Sequence, residues 1–206
     1  MVKKSVRDMP ASIYSPAQSG DFVEWSNTLN IWRTTGYSLS FWFKIANGNS
    51  GNQVLFSQGD ASSSNTLFEI LQGVSNPLTI QVFLRNSSGT TLLNVVSTTK
   101  IGDGWNHLCW TDNNGTATLY INGVADASDF SYTPSGTLDF DRTGLFALLQ
   151  GTGNSVHYNG HIAYFNVWDS TVLTASQVSD MFNDGLLNSP SNSFTFTDSW
   201  DRDWET

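Results

Sequence analysis

The chain has a single cysteine, Cys109, in 206 residues, so no internal disulfide can form. Charge is also scarce. Charged residues make up 13% of the sequence, and nine Lys and Arg stand against eighteen Asp and Glu, a formal net charge of −9. So little positive charge excludes nucleic acid as a partner, because affinity for it rests on neutralising phosphates. The same balance argues against an anionic membrane surface. The three histidines lie far apart in sequence, and with one cysteine no cluster has zinc spacing. No apolar run follows the basic start Met1-Val2-Lys3-Lys4-Ser5-Val6-Arg7-Asp8. The sequence therefore reads as lacking a signal peptide and a transmembrane segment. Synthesis in a cytoplasm is expected, with any extracellular life beginning through lysis.

Glutamate is rarer still: Glu24, Glu69 and Glu205 are the only three. Glycoside hydrolysis needs two carboxyl groups held about 5 Å or about 6.5–9.5 Å apart. None of the three has a second acid at a suitable spacing on the same strand-like segment. The chain is expected not to be an enzyme. A triad assembled from Asp60, His107, His157 and serines has no ordered motif behind it.

Aromatics are plentiful, with 8 Trp, 13 Phe and 6 Tyr, enough for the core of one large all-β domain. Tyr37 to Ile45 alternates, with Leu39, Phe41, Phe43 and Ile45 on one face and Ser38, Ser40, Trp42 and Lys44 on the other. Leu78, Ile80, Val82 and Leu84 alternate in the same way with Thr79, Gln81, Phe83 and Arg85. Residues 53–58, 66–71, 91–97, 105–111, 116–122, 144–150, 161–168 and 193–197 read as further strands. Asp112-Asn113-Asn114-Gly115 and Asn122-Gly123 supply tight turns, because Asn and Gly tolerate positive φ. Thr174-Ala175-Ser176-Gln177 has the form of a capping box. Val178, Met181 and Phe182 line one face of the helix it opens, and Gly185 stops it. The spacing predicts an all-β antiparallel sandwich with one short helix near the C-terminus.

Several of these segments also resemble a known family. Trp105-Asn106-His107 opening a hairpin that closes on Tyr120-Ile121-Asn122-Gly123 resembles the central hairpin of laminin-G-like domains, in the concanavalin A-like lectin and glucanase superfamily. Ser38 to Lys44, Val54 to Asp60, and Gly160 to Asp169 running into Leu173-Thr174-Ala175 and Phe182-Asn183-Asp184-Gly185 match its other motifs in order. The resemblance covers roughly residues 20 to 190. It implies a two-sheet jelly roll of the kind that binds glycans, proteins or steroids. Residues 20–197 would form that domain, with an N-terminal arm over 1–19 and a C-terminal tail over 198–206.

The resemblance also points to candidate sites. Asn154, His157 and Tyr158 lie in a loop on the rim where family members bind ligands. Asp60 resembles a position that helps to hold Ca²⁺, an optional ion here since no cofactor is required. Asp139 and Asp141 form a second acidic pair. Trp25, Trp32 and Trp42 would stack on sugars if exposed, but core burial is the better expectation. His107 reads as a structural histidine bonded across its hairpin, and Cys109 as a small core hydrophobe. Lys3 and Lys4 in a basic arm, and Trp200 and Trp204 in an acidic tail, are candidate contacts with neighbouring subunits.

The functional expectation is a non-catalytic module acting as a surface or structural protein of a virus particle, a decoration, fibre or tail component. Its partners would be other subunits of an assembly, with host glycans as an additional ligand. The alternatives are a stand-alone lectin-like protein and, least favoured, a glycoside hydrolase.

Overall fold

The computed structural model describes residues 12–16, 21–25, 36–46, 51–73 and 78–184. In chain order the strands are β1 (Ile13–Pro16), β2 (Val23–Trp25), β3 (Tyr37–Ile45), β4 (Gln53–Gly59), β5 (Leu67–Gln72), β6 (Ile80–Arg85), β7 (Thr91–Val96), β8 (Trp105–Asn113), β9 (Thr116–Ile121), β10 (Val124–Ala125), β11 (Arg142–Leu145), β12 (Leu148–Gln150), β13 (Gly153–Ser155) and β14 (Asn159–Asp169). Helix α1 (Ala175–Asp184) follows. Among the described residues, sheet A has the order β1-β14-β3-β8-β9-β10, and sheet B the order β2-β11-β4-β5-β6-β7. β12 and β13 form a separate two-stranded ribbon. Every described pairing is antiparallel.

Alternation along each strand sends one set of side chains between the sheets. Leu39, Phe41 and Phe43 from β3, Leu108 and Trp110 from β8, and Leu119 and Ile121 from β9 meet Phe56, Phe68, Ile70, Val82 and Leu84 of sheet B. All of them are buried. Phe165 of β14 is half-buried at the margin of this core and stacks on Trp25 and Phe56. Leu78, expected at the head of its strand, lies outside β6 and is 40% exposed.

The outer face of sheet A carries a second apolar cluster. Cys109, Tyr120 and Trp168 pack against Leu173 and against Val178 and Met181 of α1. Trp42 stacks on Phe182, with ring centroids 5.7 Å apart. The expected capping box is present: Thr174 N–H donates to Gln177 Oε1 at 2.8 Å, and Gln177 N–H donates back to Thr174 Oγ1 at 3.3 Å. The proposed stop at Gly185 and the strand over 193–197 lie outside the described residues.

The β8–β9 turn forms as read. Asn114 and Gly115 both have positive φ, 51° and 96°, and Asp112 Oδ1 accepts from Gly115 N–H at 2.8 Å. Asp112 Oδ2 also accepts from the Tyr132 hydroxyl at 2.6 Å, which ties the turn to the segment that crosses it.

Three readings need correction. Residues 144–150 are not one strand: Phe146 has φ 71° and separates β11 from β12. Its ring is fully buried, so packing offsets the cost of that backbone. Residues 13–16, assigned to an arm, form β1 at the edge of sheet A, a position where Pro16 is tolerated. His107 is buried as expected, but its ring bonds Ser40 Oγ on β3 at 2.8 Å, not the other strand of its own hairpin. Burial holds its pKa down at about 4.

Phe43 is fully buried in the central cluster. Phe43→Ala is expected to cost about 3–5 kcal/mol, read as a lower urea midpoint at unchanged m-value.

Candidate functional site

The outer face of sheet B is unevenly covered: Leu67, Leu71 and Gln81 are buried there, while Glu69 and Phe83 are half-buried and Asn94 is exposed. At β4 and β11 this face is overlaid by the β12–β13 ribbon. Ser57 Oγ donates to Ala147 O at 2.7 Å and accepts from Leu149 N–H at 3.1 Å. A Cβ on Gly59 would lie 2.0 Å from Leu149 O, so the ribbon can sit this close only over glycine. Arg142 secures the ribbon from its far side. Its guanidinium donates to Glu24 at 2.7 and 2.8 Å and to the carbonyls of Gly151 and Gly153 at 2.7 and 2.6 Å.

Beyond the ribbon, β5, β6 and β7 present a row of different character. Register places Glu24, Gly144, Ser57, Glu69, Phe83 and Asn94 in one line across the sheet. Phe83 is half-buried, takes no part in the core, and has the Arg85 guanidinium 5.8 Å from its ring centre. Arg85 is itself held by the carbonyls of Asn65, at 2.6 Å, and Ser64. Asn94 is exposed and accepts from the Gln81 side chain. Glu69 lies half-buried between the buried Leu67 and Leu71. Burial raises its carboxyl from the ordinary 4.5 to about 7, while the nearby Arg85 opposes the rise.

The row therefore offers a carboxyl, an exposed amide and an aromatic ring. That set can accept and donate hydrogen bonds to a polyol and pack against its apolar side. Glu69 is the only acidic residue in β4 to β7. Glu24 stands three strand spacings away, roughly 14 Å, and is engaged by Arg142.

The residues singled out by sequence are dispersed. Asn154 is exposed on β13 and pairs with Leu149 across the ribbon. His157 is half-buried beside Phe22, with ring centroids 6.5 Å apart, and its Nδ1 has no hydrogen-bond partner among the described residues. Tyr158 is fully buried against Phe146, so its side chain belongs to the core and not to the rim surface. Asp60 is 8% exposed, and its Oδ1 accepts from Ser62 N–H and Oγ, both at 2.7 Å. Asp141 Oδ1 accepts from Ala61 N–H of the same turn at 2.7 Å. Each carboxylate thus keeps a second oxygen, and these are the groups that would hold a hard cation. Among the described residues no three His, Cys, Asp or Glu converge on one point. Trp42 is buried, Trp25 is half-buried against Phe165, and Trp32, Trp200, Trp204, Lys3 and Lys4 lie outside the described residues.

The row on β5 to β7 was not singled out from sequence as a site. Its signal was present in the alternation of Gln81, Phe83 and Arg85 on the non-core side of one strand.

Over residues 17–179 the chain matches the family described as the concanavalin A-like lectin/glucanases superfamily, and it belongs to that family. No curated protein matches it in sequence. Solved structures of the same fold include the CBM40 of the Ruminococcus gnavus IT-sialidase bound to α2,3-sialyllactose, at 16% identity and TM-score 0.66. That match covers 83% of this chain and 96% of the other. The heptameric SAP-like pentraxin of Limulus polyphemus is similar at 17% identity and TM-score 0.62, covering 83% of this chain and 81% of the other. The binding domain of botulinum neurotoxin serotype D is similar at 16% identity and TM-score 0.61, covering 85% of this chain and 43% of the other. The fold is thus one used by lectin-like and carbohydrate-binding modules.

Since the folded protein holds the Glu69 proton more tightly than the unfolded chain, stability is expected to fall as pH rises from 4.5 through about 7. Glu69→Gln should flatten that dependence and stabilise the protein at pH 8 by up to about 3 kcal/mol. Paired urea titrations at pH 5 and pH 8 check this.

Proposed function

We propose that this protein is a non-catalytic glycan-recognition module whose ligand lies along Glu69, Phe83 and Asn94. The β12–β13 ribbon, with Asn154 at its exposed edge, forms the wall beside it. The carrying observation is Glu69 itself. A half-buried carboxyl between two leucines is costly unless something bonds to it, and sugar hydroxyls are donors of the right kind. Phe83, steadied by Arg85, takes the apolar side of the same ring. The absence of a second acid in β4 to β7 supports a binding role in preference to hydrolysis. The fold shared with the CBM40 and toxin binding domains supports the same reading. Ca²⁺, where bound, is assigned to the Asp60 and Asp141 turn, apart from the sugar-contacting groups.

On a glycan array the purified protein is expected to retain specific glycans in the presence of EDTA. Phe83→Ala and Asn94→Ala should each weaken that retention about tenfold or more, with no reducing ends released from the bound glycans. Retention unaffected by both substitutions removes the face from the proposal, and cleavage of the glycans removes the non-catalytic reading.

The second part of the proposal concerns where the module works. The reading favoured here is the surface of a virus particle, as a decoration, fibre or tail component that presents the glycan face outward. Its support is in the sequence: Lys3, Lys4 and Arg7 form a basic cluster, and Trp200 and Trp204 stand in an acidic tail. Indoles of this kind anchor subunit contacts. Deleting residues 198–206 is expected to leave the sandwich folded by circular dichroism and to reduce incorporation into the assembly or oligomer. Normal assembly of the deletion variant removes the tail as a docking element.

A further inference from the structure

The outer face of sheet A is covered by α1 only over Trp42, Cys109, Tyr120 and Trp168. One register step beyond Trp42, four side chains line up across four strands: Tyr14 on β1, His161 on β14, Lys44 on β3 and Trp105 on β8. We propose that this strip is a second binding surface, on the sheet opposite the Glu69 row, and that it takes a saccharide bearing a carboxylate.

The strip is built, not incidental. Tyr14 and His161 rings lie 4.8 Å apart, and the Trp105 ring reaches across the intervening strand to within 6.0 Å of His161. Ser12 Oγ bonds His161 Nδ1 at 3.2 Å, and the Tyr14 hydroxyl donates to Asn159 Oδ1 at 3.4 Å. Three rings are thereby held in place before any ligand arrives, which lowers the ordering cost of binding. Yet Tyr14 remains 52% exposed, among the most exposed large apolar side chains described. A ring fixed by two neighbours and left open to solvent serves as a platform for the C–H face of a sugar.

Lys44 sets the charge preference. The protein carries a net charge of −9, so most of its surface repels anions. The described residues contain four cations, Lys44, Arg85, Lys100 and Arg142. Arg85 is spent on backbone carbonyls and Arg142 on Glu24 and the ribbon. Lys44 is exposed, makes no ion pair among the described residues, and stands between the His161 and Trp105 positions. A cation placed among aromatic rings matches a ligand that combines an apolar ring face with a negative group. The strip spans three strand spacings, roughly 14 Å, which is longer than a single sugar ring.

Calorimetric titration with tetragalacturonate and with sialyllactose, against neutral cellotetraose, tests the assignment. At least one carboxylated probe is expected to bind more tightly than the neutral one. Tyr14→Ala and Lys44→Met, both at exposed positions, should each weaken it about tenfold, while Val124→Ala, exposed on β10, leaves it unchanged. Failure of both carboxylated probes to bind overturns the proposal. So does binding that is lost in Phe83→Ala but kept in Tyr14→Ala, which would return the ligand to the sheet B face. A sedimentation coefficient that drops in Tyr14→Ala also overturns it, because the strip would then be a contact between copies of the chain.

Discussion

A β-sheet has two faces, and a sandwich buries only one of each. Most of what can be touched on this protein follows from how the two remaining faces are treated. On sheet A, the side chains of β3, β8, β9 and β14 that point away from the core include Cys109, Tyr120, Trp168 and Trp42, too apolar to leave in water. The Thr174 capping box starts a helix at the place where Val178 and Met181 can cover them. On sheet B the ribbon of β12 and β13 covers β11 and β4, and only because Gly59 lets a backbone carbonyl approach. Beyond these covers, Glu69 and Phe83 stay half-buried and Asn94 exposed on one sheet, and Tyr14 and Lys44 stay exposed on the other.

The two described glutamates show how local cover decides chemistry. Glu24 and Glu69 stand in the same register row. Glu24 meets the Arg142 fork in a bidentate pair and so serves to pin the ribbon. Glu69 has leucines on either side and only a more distant guanidinium, so its carboxyl is raised to about 7. One carboxylate is used up in holding the fold, and the other keeps an unspent capacity for hydrogen bonding. That difference in neighbours, not any difference in residue type, makes Glu69 the centre of the candidate face.

The candidate site was legible only in part. Asn154 and His157 lie on and just beyond the ribbon beside the proposed face. Tyr158 follows directly, but β14 begins at Asn159 and the ring turns inward to meet Phe146. One residue of phase separates rim from core at such a junction, and periodicity does not resolve it. Phe83 and Asn94 were readable as non-core positions of their strands. Their joining with Glu69 was not, because cross-strand rows depend on register, which no single strand carries, and the β6–β7 register shifts between Leu84 and Arg85.

The amino-acid sequence by itself determined the strand-rich class, the β8–β9 turn at Asn114-Gly115, the capping box of the helix and the core-facing sets of β3 and β6. These features rest on local rules: alternation, positive-φ residues and reciprocal hydrogen bonds three residues apart. Tertiary structure alone decided that Ile13–Pro16 pairs with β14, that Phe146 breaks a strand, and that His107 bonds Ser40 on β3 instead of its own hairpin. It alone set Tyr14 beside His161 and Glu69 beside Phe83. The physical reason is one of distance along the chain. Each of these depends on which segment becomes the neighbour, and the selection is made by burying the largest apolar faces together. Nothing local to those residues encodes that choice.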